Sequence, residues 1–254
     1  MPSADVISSL TGRSTTVFDA IPSTNTALID AIKNGDTDAR IFAAVSQTSG
    51  KGRLGRSFSS ERGGIYFSFN FSMPVSRAQN EARLVTPLAG VAVTDALTKL
   101  YGVCVGLKWV NDIIADGKKL GGILSEAVTV GNEAHITVGI GINAVNVDFP
   151  ETATSLSRIC GEKSTVEFDA SAVISETVNA FFSRLPHIAE IHRDYSSRII
   201  HIGSAVRLHR FDGTPDVLAL CLAVNDDCEL VVKDENGIIS TLSSGEVSII
   251  IKNQ

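Results

Sequence analysis

The chain has 254 residues, 44% apolar and 20% charged, with a formal net charge of -6. That length and apolar content suffice for a buried core and exclude a disordered or fibrous chain, with one larger domain and a small one as the expected division. The basic residues gather on no predicted helix, and there is neither a leader pattern nor an apolar run of about 18 residues, so nucleic acid and membrane are not expected partners and the cytoplasm is the expected location.

In chain order, "FDAIPSTNTALIDAIKNGD" reads as a strand end, a turn at Pro22-Ser23, and a helix from about Thr24 to Lys33 stopped by Asn34-Gly35. Ser23, Thr24 or Asn25 can cap it. "ARIFAAVSQT" is a short apolar strand that runs into a glycine-rich loop. Beyond the loop, "GGIYFSFNFSMP" alternates Ile65, Phe67, Phe69 and Phe71 with Tyr66, Ser68, Asn70 and Ser72, which predicts a half-buried strand. "ARLVTPLAGVAVTDALTKLYG" spaces Leu84, Leu88, Val91, Ala92, Ala96 and Leu100 at three and four before Gly102, the pattern of a helix. "VCVGLKWV", "DIIADGKKLGGILSEAVTV" folded at Asp116-Gly117, and "EAHITVGIGINAVNV" then predict an antiparallel meander.

A second long helix is expected over 169 to 195, broken near Pro186. From Ile202 onwards, short β-rich runs separated by Asp212-Gly213, Asn225-Asp226 and Asn236-Gly237 predict a small barrel-like β domain. Cys104, Cys160, Cys221 and Cys228 lack C-x-x-C spacing and read as buried, reduced thiols. His135, His187, His192, His201 and His209 lack ligand spacing and read as structural or surface residues.

The loop "SQTSGKGRLGRSF" carries Gly50-x-Gly52-x-x-Gly55, the spacing of a dinucleotide-binding turn. Such a turn must open a helix and have an acidic residue about 20 positions on; here a strand follows, and Asn70 to Met73 hold no Asp or Glu. A P-loop would need Lys in place of Arg56, and again a helix. What remains is Lys51, Arg53 and Arg56 alternating with glycines, which suits either a polyanion or plain solvent. Lys108 ends an apolar strand beside the single Trp and the pair Asn111-Asp112; if partly buried it needs an anion, otherwise it snorkels outward. Gly139 and Gly141 inside a buried strand fit a ligand lying flat on the backbone or close packing against a helix, and Asn143 shares their face under period 2.

Taken in order, "STNT", "GKGRLGR", "KWVND", "KLGGIL", "GIGIN" and "GEVS" resemble the biotin protein ligases, over essentially the whole chain. The resemblance implies an α+β fold: a mixed, largely antiparallel sheet with helices, related to class II aminoacyl-tRNA synthetases, over residues 1–199, and an SH3-like β barrel over 200–254. It implies that ATP activates biotin to biotinyl-5'-AMP with Mg²⁺, and that a lysine of a biotin carboxyl carrier protein then takes the biotin. By the same likeness, Ser23, Thr24, Asn25 and Gln47 fall where the family binds the biotin ring. Lys51, Gly52 and Arg53 fall on a lid over biotin and the adenylate phosphate, and Lys108 beside the biotin carboxylate and α-phosphate. Gly121, Gly122, Ile123 and Leu124 line the biotin tail; Arg56, Asn111 and Asn143 join the nucleotide side, with Asp112 near the metal. Lys108 and Arg53 are the implied catalytic residues.

The chain departs from the family pattern at Lys51, where Arg is common, and at Val110, where Pro is usual. About 20 residues precede "STNT", which implies a ligase without the DNA-binding domain of some members, as monomer or homodimer. Two rival readings remain open from the residues: a lipoate or octanoyl ligase or transferase of the same fold, and a binding module without catalysis.

Overall fold

The computed structural model describes residues 1–145, 150–161, 167–210, 215–243 and 247–251. Asp212-Gly213 and the Gly245-Glu246 half of "GEVS" lie outside the described residues.

The chain opens with α1 (Ala4–Thr11), which the sequence reading did not anticipate: Ser3 caps it, and Gly12 at φ 66 ends it. It leads into β1 (Ser14–Ile21) and α2 (Thr24–Lys33), the latter capped by Ser23, whose hydroxyl accepts from Thr26 N. β2 (Arg40–Gln47) runs parallel to β1, and β3 (Gly64–Pro74) runs antiparallel to β2. α3 (Val75–Glu81) and a short 3₁₀ turn precede α4 (Val85–Tyr101), closed by Gly102 at φ 65 as the sequence predicts.

The predicted meander follows as β4 (Gly106–Lys108), β5 (Asp112–Ala115), β6 (Lys118–Val130) and β7 (Glu133–Asn143). β4 is far shorter than "VCVGLKWV" suggested. Seven strands make one sheet in the order β1-β2-β3-β7-β6-β5-β4, antiparallel except for the β1–β2 pair. The outer edge at β4 is covered by the chain near Ile199, with Leu107 N donating to Arg198 O at 2.8 Å and Ile200 N to Leu107 O at 3.0 Å.

After α5 (Leu156–Cys160), the expected long helix is α6 (Ala170–Arg184), a 3₁₀ segment containing Pro186, and α7 (Ile191–Ser196). All five predicted C-terminal runs are strands: β8 (Ala205–Arg210), β9 (Val217–Val224), β10 (Leu230–Asp234), β11 (Ile239–Leu242) and β12 (Val247–Ile251). They form a second sheet ordered β11-β10-β9-β8-β12, with β11 and β12 as its edges.

Helices cover both faces of the large sheet, which corrects the half-buried reading of β3. Phe69 and Phe71 pack against Phe181 and Phe182 of α6 on one face. On the other, Tyr66, Ser68 and Asn70 are buried as well: Ser68 under Thr24 of α2, and Tyr66 with its hydroxyl on Glu61 O. Each fully buried large apolar side chain contributes about 1.5–3 kcal/mol. The thiol reading also needs correction, since Cys221 and Cys228 are buried but Cys160 is only partly so and Cys104 is exposed.

A bulge in the β5–β6 hairpin sets the register that matters most. A two-residue turn at Asp116-Gly117 pairs Ala115 with Lys118 and, unbroken, would set Asp112 opposite Gly121. The register slips between Ile113 and Ile114, so Asp112 faces Gly122 and Gly121 faces Ile113. A Cβ on Gly121 would stand 2.3 Å from the Gly141 carbonyl oxygen, so the two strands can meet only if that position has no side chain. Gly121→Ala is therefore expected to cost about 1–3 kcal/mol, read as a lower urea midpoint at unchanged m-value. A variant as stable as the parent would show that β6 and β7 can part there at little cost.

Candidate functional site

The N-terminus of α2, the glycine-rich loop, and β5, β6 and β7 surround one cavity of about 400 Å³. At its inner end, Thr24 N and Oγ1 both donate to Gln47 Oε1, at 2.8 and 3.2 Å, and Gln47 Nε2 donates to Ser60 Oγ at 2.9 Å. A free amide at the first turn of α2 thus finds its acceptor on β2, and the glutamine is held at both ends. Thr24 Oγ1 also lies 2.8 Å from Ser68 Oγ. Asn25 Nδ2 donates to Glu126 Oε2 at 2.6 Å across to β6.

The loop is bonded to itself. Phe58 N donates to Gly50 O at 2.8 Å and Gly52 N to Arg56 O at 2.7 Å, around a turn at Arg53–Gly55 in which Leu54 has φ 57. Gly50 is obligatory there, because a Cβ would lie 2.3 Å from the Phe58 carbonyl oxygen. The closed turn lays Phe58 over the floor of the cavity. A Cβ at Gly141 would meet that ring at 2.5 Å, and one at Gly139 would meet Asn25 Oδ1 at 2.5 Å. Both glycines therefore line the cavity and make room for neighbouring side chains.

Charge is concentrated at the outer end. Asp112 lies 2.6 Å from Lys119 Nζ and 3.8 Å from Lys108 Nζ. Arg53 Nη1 donates to Asn111 Oδ1 at 3.5 Å, and Asn111 Nδ2 to Ile123 O at 2.9 Å, which ties the loop to β6. Burial lowers the Lys108 ammonium from its ordinary range; Asp112 pulls it back up, and Lys119 and Arg56 push it down again. Burial lowers Arg53 as well, against the attraction of Asp112. Among the described residues, Lys51, Arg53, Arg56, Lys108 and Lys119 thus share the cavity lining with a single carboxylate, an arrangement that calls for an anionic ligand.

Of the residues expected from sequence, Ser23, Thr24, Asn25 and Gln47 meet at one end, and Lys51, Gly52, Arg53 and Arg56 form the roof. Lys108, Asn111, Asp112, Gly122, Ile123 and Leu124 complete the floor and outer wall. Two expected residues do not line it. The bulge turns Gly121 away, and Asn143 donates its amide to Thr154 O at 2.9 Å. Asp112 is engaged by two lysines, and among the described residues no group of three or more His, Cys, Asp or Glu could hold a metal, so a resident metal does not fit this wall.

Lys119, Phe58, Ser68, Trp109 and His209 also line the cavity, although the sequence motifs do not mark them as binding residues. Lys119 was legible in principle: two positions past the Asp116-Gly117 turn, it pairs with Ile114 and so shares a face with Asp112. His209 comes from the second sheet and had no local signal; its Nδ1 lies 2.8 Å from Asp216 Oδ1. The second sheet is joined to the outer wall at Trp109, whose Nε1 donates to Cys228 O at 3.0 Å, and the next carbonyl, Val110 O, accepts from Tyr195 Oη at 3.0 Å. The Trp109–Val110 peptide is cis.

His201, fully buried with neither ring nitrogen hydrogen-bonded, is driven down to about 4 from 6.5 by burial and then by the charge of Lys108. Because the folded pKa is the lower one, the unfolded chain binds the proton more readily, and stability drains as pH falls through 6.5 towards 4. Between pH 7 and 4.5 this group is expected to remove about 2 to 3 kcal/mol. Urea unfolding at the two pH values tests this: His201→Phe should flatten the difference by that amount, and an equal pH dependence in both proteins would refute it.

The model of the biotin/lipoate A/B protein ligase family matches residues 17–143. The chain is 31% identical over 233 residues to the bifunctional ligase/repressor BirA of Bacillus spizizenii, covering 87% of this chain and 69% of that protein. It is 30% identical over 232 residues to the biotin–[acetyl-CoA-carboxylase] ligase of Mycobacterium tuberculosis, covering 89% of this chain and 85% of the relative. The biotin protein ligase from Aquifex aeolicus, solved in complex with biotin and ATP, superposes with a TM-score of 0.77 at 26% identity, over 94% of this chain and 99% of that one.

Proposed function

This chain belongs to the biotin/lipoate A/B protein ligase family, and on that premise we infer that it is an ATP-dependent biotin protein ligase that makes biotinyl-5'-AMP and passes the biotin to a lysine of a carrier domain. The observation that carries the reading is the cavity itself: a neutral polar end at Thr24, Asn25 and Gln47 is joined to a roof and outer wall that, among the described residues, carry five cations and one carboxylate. A ligand with a polar ring at one end and a phosphate at the other matches that gradient.

Biotin's carboxylate oxygen attacks the α-phosphorus of ATP, a P–O bond forms, and the bond to pyrophosphate breaks. The acceptor's amine then attacks the acyl carbon, forming the amide and releasing AMP. Neither step requires a protein nucleophile. The contribution of the chain is to position the reactants and neutralise charge on the phosphorus oxygens. Lys108 and Arg53 are the residues we assign to that task, with Lys119 and Arg56 flanking them. Lys108 is the better placed, since it is half-buried in a cavity wall and its charge acts in a low dielectric. Asp112 holds Lys108 and Lys119 in place, and we take Mg²⁺ as arriving with the nucleotide phosphates. Lys51 keeps the charge of the family's arginine without its planar fork.

Residues 1–199 form the catalytic unit in this proposal, and 200–254 the family's SH3-like domain, a reading that the separate five-stranded second sheet supports. The acceptor is a biotin carboxyl carrier domain, and ATP as substrate supports a cytoplasmic location. Incubation with ATP, Mg²⁺ and labelled biotin should release pyrophosphate and label a carrier domain; release with lipoate but not biotin would overturn the reading. Lys108→Ala is expected to slow adenylation about 10²–10³-fold, the usual loss on removing one preorganised charge partner. Normal single-turnover adenylation in that variant would remove Lys108 from its assigned role.

A further inference from the structure

Asn25 is 4% exposed, and its two amide atoms differ in their surroundings. Nδ2 donates to Glu126 Oε2 at 2.6 Å, whereas Oδ1 is buried without a partner. A carboxylate can only accept, so the nitrogen has to face Glu126 and the carbonyl is turned the opposite way. There it meets Gly139 and Ser68: a Cβ on Gly139 would stand 2.5 Å from Asn25 Oδ1 and 3.2 Å from Ser68 Oγ. Asn25, Gly139 and Ser68 all line the cavity. Thr24 and Gln47 next to them already satisfy one another, so Asn25 Oδ1 is the acceptor left over. A buried carbonyl left unpaired carries a desolvation cost that an incoming donor can recover.

We propose that Glu126 is a positioning residue that fixes the Asn25 amide with its carbonyl towards the cavity, as an acceptor for an N–H group on the substrate's ring. The inference rests on the biotin ligase reading and deepens it. Biotin's cyclic urea carries two N–H donors, whereas the dithiolane of lipoate has none. A polar group that only the right ring can satisfy discriminates by what it leaves unpaired in the wrong one. Glu126 thereby sets ring specificity without having to touch the ring.

The pair can be tested by exchanging its chemistry. Wild-type protein is first titrated with biotin and with lipoate. In N25D two carboxylates would face each other, and biotin affinity should fall about tenfold or more. In N25D/E126Q the amide at position 126 donates to the carboxylate at position 25, which still shows an oxygen to the cavity, and most of the affinity should return. E126Q alone lets the Asn25 amide settle either way; it is expected to raise the KM for biotin about 3- to 10-fold, with kcat and the KM for ATP at parental values and a narrowed preference for biotin over lipoate. An unchanged biotin KM in E126Q, or a double variant no better than N25D, would overturn the proposal and leave Glu126 as a structural tie between α2 and β6. Wild-type protein that ignores biotin would instead sink the ligase reading, so the two failures are told apart.

Discussion

One carboxylate organises the charged end of this molecule. Asp112 sits between Lys108 and Lys119, and the arginines of the loop close over the same space. A chain with net charge -6 thereby maintains a local excess of positive charge in a partly buried wall. Without Asp112 the two ammonium groups would repel each other and retreat to solvent; with it they stay near the cavity but are not neutralised. The remaining charge has to be met by a ligand, which is why the cavity suits an anionic substrate or intermediate.

The second constraint is how closely backbones approach one another. Gly121 allows β6 and β7 to meet, while Gly139 and Gly141 accept Asn25 and Phe58, and Gly50 accepts the Phe58 carbonyl. Side chains at these positions would push away the elements that carry the binding groups. The floor is therefore made of backbone, and the chemistry is brought to it by α2, the loop and the β5–β6 hairpin. Because each of these elements is tied to another, through Thr24 to Gln47, Asn25 to Glu126 and Arg53 to Asn111, the cavity keeps its shape through a network of tethers.

The second sheet is part of the same assembly. Trp109 and Val110 follow directly on Lys108, and their hydrogen bonds to Cys228 O and from Tyr195 connect the lysine's strand to the C-terminal sheet and to α7. His209 reaches the cavity lining from β8, and His201 is buried close enough to feel the charge of Lys108. Changes in the packing of the C-terminal sheet have a short physical route to the charged wall.

What the sequence by itself determined were the features set by local periodicity and turn chemistry. These include α2 with its serine cap, α4 with its terminal glycine, the Asp116-Gly117 hairpin and the five C-terminal strands. The motif residues were legible too, because the resemblance rests on their order along the chain. Only the tertiary structure decided which of them share a cavity. The β5–β6 bulge exchanged Gly121 for Gly122, and Thr154 took the amide of Asn143. Helices on both faces buried the polar side of β3, and the parallel β1–β2 pair put Gln47 at the start of α2. Each of these outcomes depends on partners distant in sequence, and a one-residue slip in register reverses which face a side chain occupies. Pattern along a strand fixes the alternation of its faces; the pairing of strands determines which face looks into the site.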